Sequence, residues 1–211
     1  GPAESDGVEN HTWGYLKLSG GATNGVIDSL NKAFKNSYDQ AKRETLAWRP
    51  GSSSGWQCIS YRSFLTCNRD GYIGTLIQKA TTNWAGHVPF LRIEPKVYSL
   101  STGEEADPWE AIGLSKARLD SLSIDAIVKY VKANPPDYPY SSEGAIRLDA
   151  QQVVSNATYL LVDEGVAIYI PTYNMGYSFA SGPKAVVAWA FDNSTLVGND
   201  VLSSYAVDID S

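Results

Sequence analysis

Near neutral pH the usual general base is histidine, and this 211-residue chain holds only His11 and His87. A serine or cysteine nucleophile needs such a base, and the base needs an orienting acid. His11 lies in the N-terminal arm, which leaves His87, in the stretch "NWAGHVPF", Asn83 to Phe90. No spacing in the chain nominates a nucleophile or an acid for it. Hydrogen bonding within a turn is therefore the expected role of His87, with a ligand contact as the sharper alternative. Gly51 to Gly55, "GSSSG", matches the G-x-S-x-G form of a nucleophile elbow. An elbow joins a buried strand to a helix, whereas this pentapeptide follows Arg49-Pro50 and precedes a strand-like segment. It reads as a flexible connection.

Cys58 and Cys67 are the only cysteines, and their spacing fits neither a CxxC redox pair nor a four-ligand zinc site. No metal or cofactor is expected. A hairpin turning near Arg62-Ser63 would bring the two sulfurs together; one continuous strand would hold them far apart. The reading favours a disulfide, and with it an extracytoplasmic compartment. The carboxylates have ordinary explanations: Asp107 caps a helical turn, Asp163-Glu164 forms a hairpin turn, and Glu104-Glu105 is a solvated pair.

Aromatic residues carry the stronger signal. Tyr138, Tyr140, Tyr173 and Tyr177 fall in two loops, "PPDYPY" and "TYNMGYSF". Tyrosines on proline- and glycine-bounded loops offer rigid amphipathic area for a protein or a sugar ring. They serve equally well at the edge of a small core. With Trp84 and His87 they make the candidate ligand surface.

The elements that must position these residues are legible from periodicity. Trp13 to Ser19 alternates like a strand, and from Val26 to Ala41 apolar residues recur with helical spacing. Gln57 to Cys67 and Gly71 to Thr82 are rich in β-branched and aromatic residues, and Asn68 to Gly71, "NRDG", turns between them. Phe90 to Leu100 reads as a further strand. Asp107-Pro108 starts a short helix that Gly113 ends. A longer helix runs from about Ser115 to Ala133 until Asn134-Pro135-Pro136 stops it. Tyr159 to Ile170 is a hairpin around Asp163-Glu164-Gly165, Lys184 to Phe191 a buried strand, and the remainder a weakly patterned tail. The expected class is α+β, with helices packed on an antiparallel sheet in two associated subdomains, residues 10–83 and 84–211.

Composition excludes several functions. Seventeen basic against 23 acidic residues give a formal charge of −6, so no broad cationic surface faces nucleic-acid phosphates or anionic lipid. No run of about 18 apolar residues is present to span a membrane.

Three segments, in order, resemble a known family. "AGHVPFLRIEPKVYSLSTGEEADPWEAIG", Ala85 to Gly113, is similar to its pattern of a Gly-Gly-Ala-His loop, a strand, an Asp-Leu-x-Thr-Gly turn and a short helix. "YLLVDEGVAIYIPTYNMGYSFASGPKAVVAWAF", Tyr159 to Phe191, resembles its C-terminal hairpin, Pro-Tyr-Glu loop and closing strand. "YLKLSGGATNGVIDSLNKAF", Tyr15 to Phe34, looks like the strand and helix of the domain that precedes it. The family is the extracytoplasmic domain of lysozyme-sensing anti-sigma factors, found also ahead of peptidoglycan deacetylase domains. Ser99 stands where it has Asp, Asn174 where it has Glu, and Trp-Ala-Gly precedes His87 in place of Gly-Gly-Ala. The resemblance implies a non-catalytic binding or sensor module on a bacterial surface, recognising a lysozyme-like protein or a cell-wall glycan. The alternatives are a cell-wall hydrolase with His87 as base, and a structural spacer.

Overall fold

The computed structural model describes residues 12–19, 25–47, 56–83, 90–171, 175–177 and 182–205. Its first layer grows from a long hairpin, β2 (Trp56–Arg69) and β3 (Tyr72–Asn83). Asp70 and Gly71 join them, both with positive φ (52° and 81°), the backbone that lets a two-residue loop follow the right-handed twist of its strands. β4 (Phe90–Ser99) adds antiparallel to β3, β5 (Glu105–Ala106) to β4, and β1 (Thr12–Trp13) pairs parallel with β2. The sheet order is β1-β2-β3-β4-β5, so the sheet crosses the expected division at residue 83.

Two expectations are corrected here. Cys58 and Cys67 lie on the single strand β2, nine positions apart and so about 30 Å along an extended chain, where a disulfide needs Cα atoms within about 7 Å. The strand turns at Asp70-Gly71 and not near Arg62-Ser63, and Cys67 is a buried free thiol. The strand expected over Trp13 to Ser19 stops at Trp13: the Leu16 and Leu18 N–H groups bond to side chains, Ser63 Oγ on β2 (2.6 Å) and Asn31 Oδ1 (2.7 Å), instead of to backbone carbonyls of a neighbouring strand.

Alternation along β3 sends Ile73 and Ile77 to one face and Gly74 and Leu76 to the other. The first face carries α1 (Val26–Ala47), whose Leu30 and Phe34 pack with Ile73 and whose Ala41 packs with Tyr61 and Ile77. The second face meets an antiparallel three-stranded sheet of β6 (Tyr159–Val162), β7 (Gly165–Ile170) and β8 (Lys184–Ala190). At the junction Thr66 Oγ1 donates to the Leu161 carbonyl (2.7 Å), and a Cβ on Gly74 would stand 2.2 Å from that same oxygen. Glycine is what lets β6 come this close.

Beyond the smaller sheet lie α2 (Lys116–Ala133) and α3 (Glu143–Ser155), capped by Ser115 and Ser142, whose hydroxyls accept from the N–H groups of Arg118 and Ala145. Leu119, Ile127, Ile146, Val153, Val166, Ile168 and Val186 form part of one continuous core between helices and sheet. α3 is absent from the reading above, although Ile146, Ala150, Val153 and Val154 carry its spacing. The segment from Asp107 to Gly113 forms consecutive turns instead of a regular helix, with Gly113 left-handed (φ 66°). From Phe191 to Tyr205 the chain is more ordered than its pattern suggested: Val187 N–H donates to Asn199 O (2.9 Å) and Val201 N–H to Ala185 O (2.8 Å), covering the β8 edge. The fold is α+β, with helices outside two facing sheets.

Candidate binding site

Where α2 ends, the chain must turn without a helical donor. Asn134 closes the helix through its backbone N–H (2.8 Å) and its Nδ2 (3.1 Å), both donated to Tyr130 O. Pro135, Pro136 and Pro139 then fix φ at three of the next five positions, so the loop to Tyr140 has little freedom to lose on binding. Residues 175–177 brace it from beneath. Tyr138 N–H donates to Gly176 O (3.3 Å), and Gly176 is left-handed (φ 72°) with its Cβ direction 3.1 Å from Tyr138 O and 3.6 Å from Pro136.

The tyrosines of the two loops divide by role. Tyr140 OH donates to Asp149 Oδ2 on α3 (2.8 Å) and lies 3.9 Å from Sδ of the fully buried Met175. Tyr177 OH donates to Asn134 O (2.6 Å), and its ring lies 6.2 Å from that of Tyr130. Burial pushes both phenols well above the ordinary tyrosine range, and for Tyr140 the Asp149 carboxylate adds to the effect. Both hydroxyls are thus committed to holding the loops. Tyr138 has the reverse arrangement: its backbone is tied down while its side chain is 76% exposed. The structure brings Tyr138, Tyr140 and Tyr177 together; Trp84, His87 and Tyr173 lie outside the described residues.

A second polar constellation escaped the sequence reading. Tyr159 OH donates to Asp120 Oδ1 (2.7 Å), Asp120 pairs with Lys116 (2.8 Å), and Lys116 Nζ sits 5.8 Å from the centre of the Trp109 ring, which meets Tyr159 edge to face. Ser123 Oγ is 2.8 Å from Leu119 O and 3.3 Å from Tyr159 OH. Ser123 is fully buried, so this network braces α2 against β6 and presents no nucleophile to solvent. Its signal in the sequence was the i, i+3 pair Asp120 and Ser123 on one side of an amphipathic helix, meaningful only once Tyr159 is known to face it. The Cys67 thiol is likewise unsuited to attack, because burial, reinforced by Asp163, pushes it up to about 11 and keeps it protonated. Among the described residues no three His, Cys, Asp or Glu side chains are placed to hold a metal ion, and no helix is long and apolar enough to cross a membrane.

No protein-family model matches the chain, and no curated protein sequence matches it. Among solved structures it is similar to a crystal structure of a member of the DUF3298 family from Bacteroides fragilis NCTC 9343. The two are 11% identical with a TM-score of 0.40, over 75% of this chain and 60% of that one. The chain thus spans less than two thirds of that relative's length.

Proposed function

We propose that this chain is a non-catalytic binding or sensor module on the extracytoplasmic side of a bacterial surface protein, and that the loop from Asn134 to Tyr140 contacts its ligand, a protein or a cell-wall glycan. One observation carries the reading: Tyr138 is held in water on a loop fixed by three prolines and by its own N–H bond to Gly176 O, while the neighbouring Tyr140 and Tyr177 hydroxyls are turned to Asp149 and Asn134 O. Exposing a large aromatic ring gives up hydrophobic stabilisation, and a rigid mount reduces the entropy lost when that ring is covered. The compartment and ligand classes rest on the resemblance of Ala85 to Gly113 and Tyr159 to Phe191 to the anti-sigma-factor and deacetylase-associated domains. Trp84, His87 and Tyr173 belong to the same proposal as further contact residues.

The test is binding to purified peptidoglycan fragments and to lysozymes by sedimentation and titration calorimetry, comparing the parent chain with Tyr138→Ala. A loss of about tenfold or more in affinity is expected of a central aromatic contact. Equal binding by the variant, or no binding of either ligand class by the parent, would overturn the reading.

A further inference from the structure

We infer that residues 193–202 form a releasable strap coupled, through the C-terminal end of α2, to the loop from Asn134 to Tyr140, so that a ligand held by the loop also holds the strap on β8. The coupling is a property of the chain; its use in sensing rests on the binding-module reading.

After β8 the chain turns back and lies along the edge of that strand. Val187 N–H donates to Asn199 O (2.9 Å), Gly198 N–H to Val187 O (2.8 Å) and Val201 N–H to Ala185 O (2.8 Å). Asp200 adds a side-chain clasp, its Oδ1 accepting from the N–H groups of Ala185 and Leu202 (both 3.0 Å). Apolar support is small: Val201 and Leu202 are buried, Leu196 and Val197 only partly, and residues 193–195 are exposed. A segment on an outer edge with so little buried area opens at a low free energy while the sheet beneath it stays folded. The β8 edge can satisfy its backbone groups with the strap or with water, which gives the segment a docked and a released arrangement.

The docked strap is tied to the point from which the loop leaves α2. Lys129 Nζ donates to Val197 O (2.7 Å), and Gly198 (φ 89°) passes so close that a Cβ there would stand 2.9 Å from Lys129 Cδ. The next residue, Tyr130, accepts both hydrogen bonds of Asn134 on its carbonyl, and its ring lies 6.2 Å from that of Tyr177, whose hydroxyl holds the Asn134 carbonyl. Asp200 is close enough to act on both rings: after burial its carboxylate raises the Tyr130 phenol, and after burial and Tyr130 it raises that of Tyr177. Lifting the strap therefore removes a tie from the helix end that fixes the loop. Covering Tyr138 restrains that same end, and with it the strap.

Hydrogen exchange of the chain, followed amide by amide, tests the coupling with no ligand present. Lys129→Met keeps the aliphatic stem beside Gly198 and removes the tie to Val197. It should speed exchange about tenfold at Val187, Gly198 and Val201, and about fivefold at the Asn134 and Tyr138 N–H groups. Tyr177→Phe, made on the loop side, should return an effect of about fivefold at Val187, Gly198 and Val201, because coupling is reciprocal. Tyr159→Phe, which disturbs α2 at its β6 brace instead, should leave all five amides at the parent rate. Acceleration confined to the mutated side, or equal acceleration in all three variants, overturns the inference. If neither peptidoglycan fragments nor lysozymes bind, the module reading falls by itself, and the exchange pattern still decides whether strap and loop are coupled. If one of them binds, saturation should slow exchange at Gly198 and Val201; unchanged rates there sink the link between ligand and strap.

Discussion

The two helical layers are held differently. α2 buries Leu119, Ser123, Ala126, Ile127, Val128, Tyr130 and Val131 in its 18 residues, inside one core shared with α3 and the smaller sheet. α1 is longer, 22 residues, yet its described side chains enter two small separate clusters, one around Leu30 and Phe34 and one around Ala41. The difference shows that helix length does not measure anchorage. What counts is how many turns reach a shared core, because each cluster can be lost without the other. The C-terminal layer is accordingly the stable frame, and it is the layer that carries Tyr138.

The strongest way to test that contrast is Ile127→Ala, at a fully buried position of the larger core. It should lower stability by about 4 kcal/mol, the upper part of the range for such truncations, with hydrogen exchange accelerated throughout. Leu30→Ala should cost about 2 kcal/mol and accelerate exchange chiefly in α1. Uniform acceleration there would mean that the two layers unfold as one unit. Gly74→Ala, which drives a methyl group into the Leu161 carbonyl and Thr66 Oγ1, should cost about 3 kcal/mol in denaturant titration. It should also loosen the contact between the sheets, read as faster exchange at both β3 and β6.

Smaller effects come from the polar braces. Tyr159→Phe removes a hydroxyl from the Asp120 network and should cost about 1 kcal/mol. The pH dependence follows from its sign. Burial first, then Asp120, raises the Tyr159 phenol in the folded state, partly opposed by Ser123, and burial raises those of Tyr140 and Tyr177. A raised folded value means that the stabilisation is fully present below the unfolded value of about 10. It is lost as pH climbs above that value. Denaturation midpoints should therefore be flat across these groups up to about pH 10 and fall beyond it, less steeply in Tyr159→Phe. Last, Tyr138→Ala should change stability by less than about 0.5 kcal/mol, since its ring touches water more than protein.

Most element positions were readable because local periodicity and turn chemistry agree with the final packing. The Asp70-Gly71 turn, the Asp163-Glu164 hairpin and the α2 stop at Asn134-Pro135 each follow from residues adjacent in sequence. Errors arose where the deciding partner is remote. The Cys58–Cys67 pairing depended on where β2 turns. The division at residue 83 missed that β4 completes the first sheet by pairing with β3. α3 was overlooked because Leu148, an apolar residue on its wet side, blurs the amphipathic pattern.

By itself the sequence determined the α+β class, the acidic charge, the scarcity of catalytic bases and the gathering of tyrosines into two proline- and glycine-bounded loops. Only the tertiary structure decided which of those tyrosines face inward. Tyr140 and Tyr177 find Asp149 and the Asn134 carbonyl, and Tyr138 finds water. The physical reason is that a phenol is equally suited to a core edge or a displayed surface. Its fate is set by whether a distant strand or helix brings an acceptor within hydrogen-bond reach, and no neighbour in sequence records that distance.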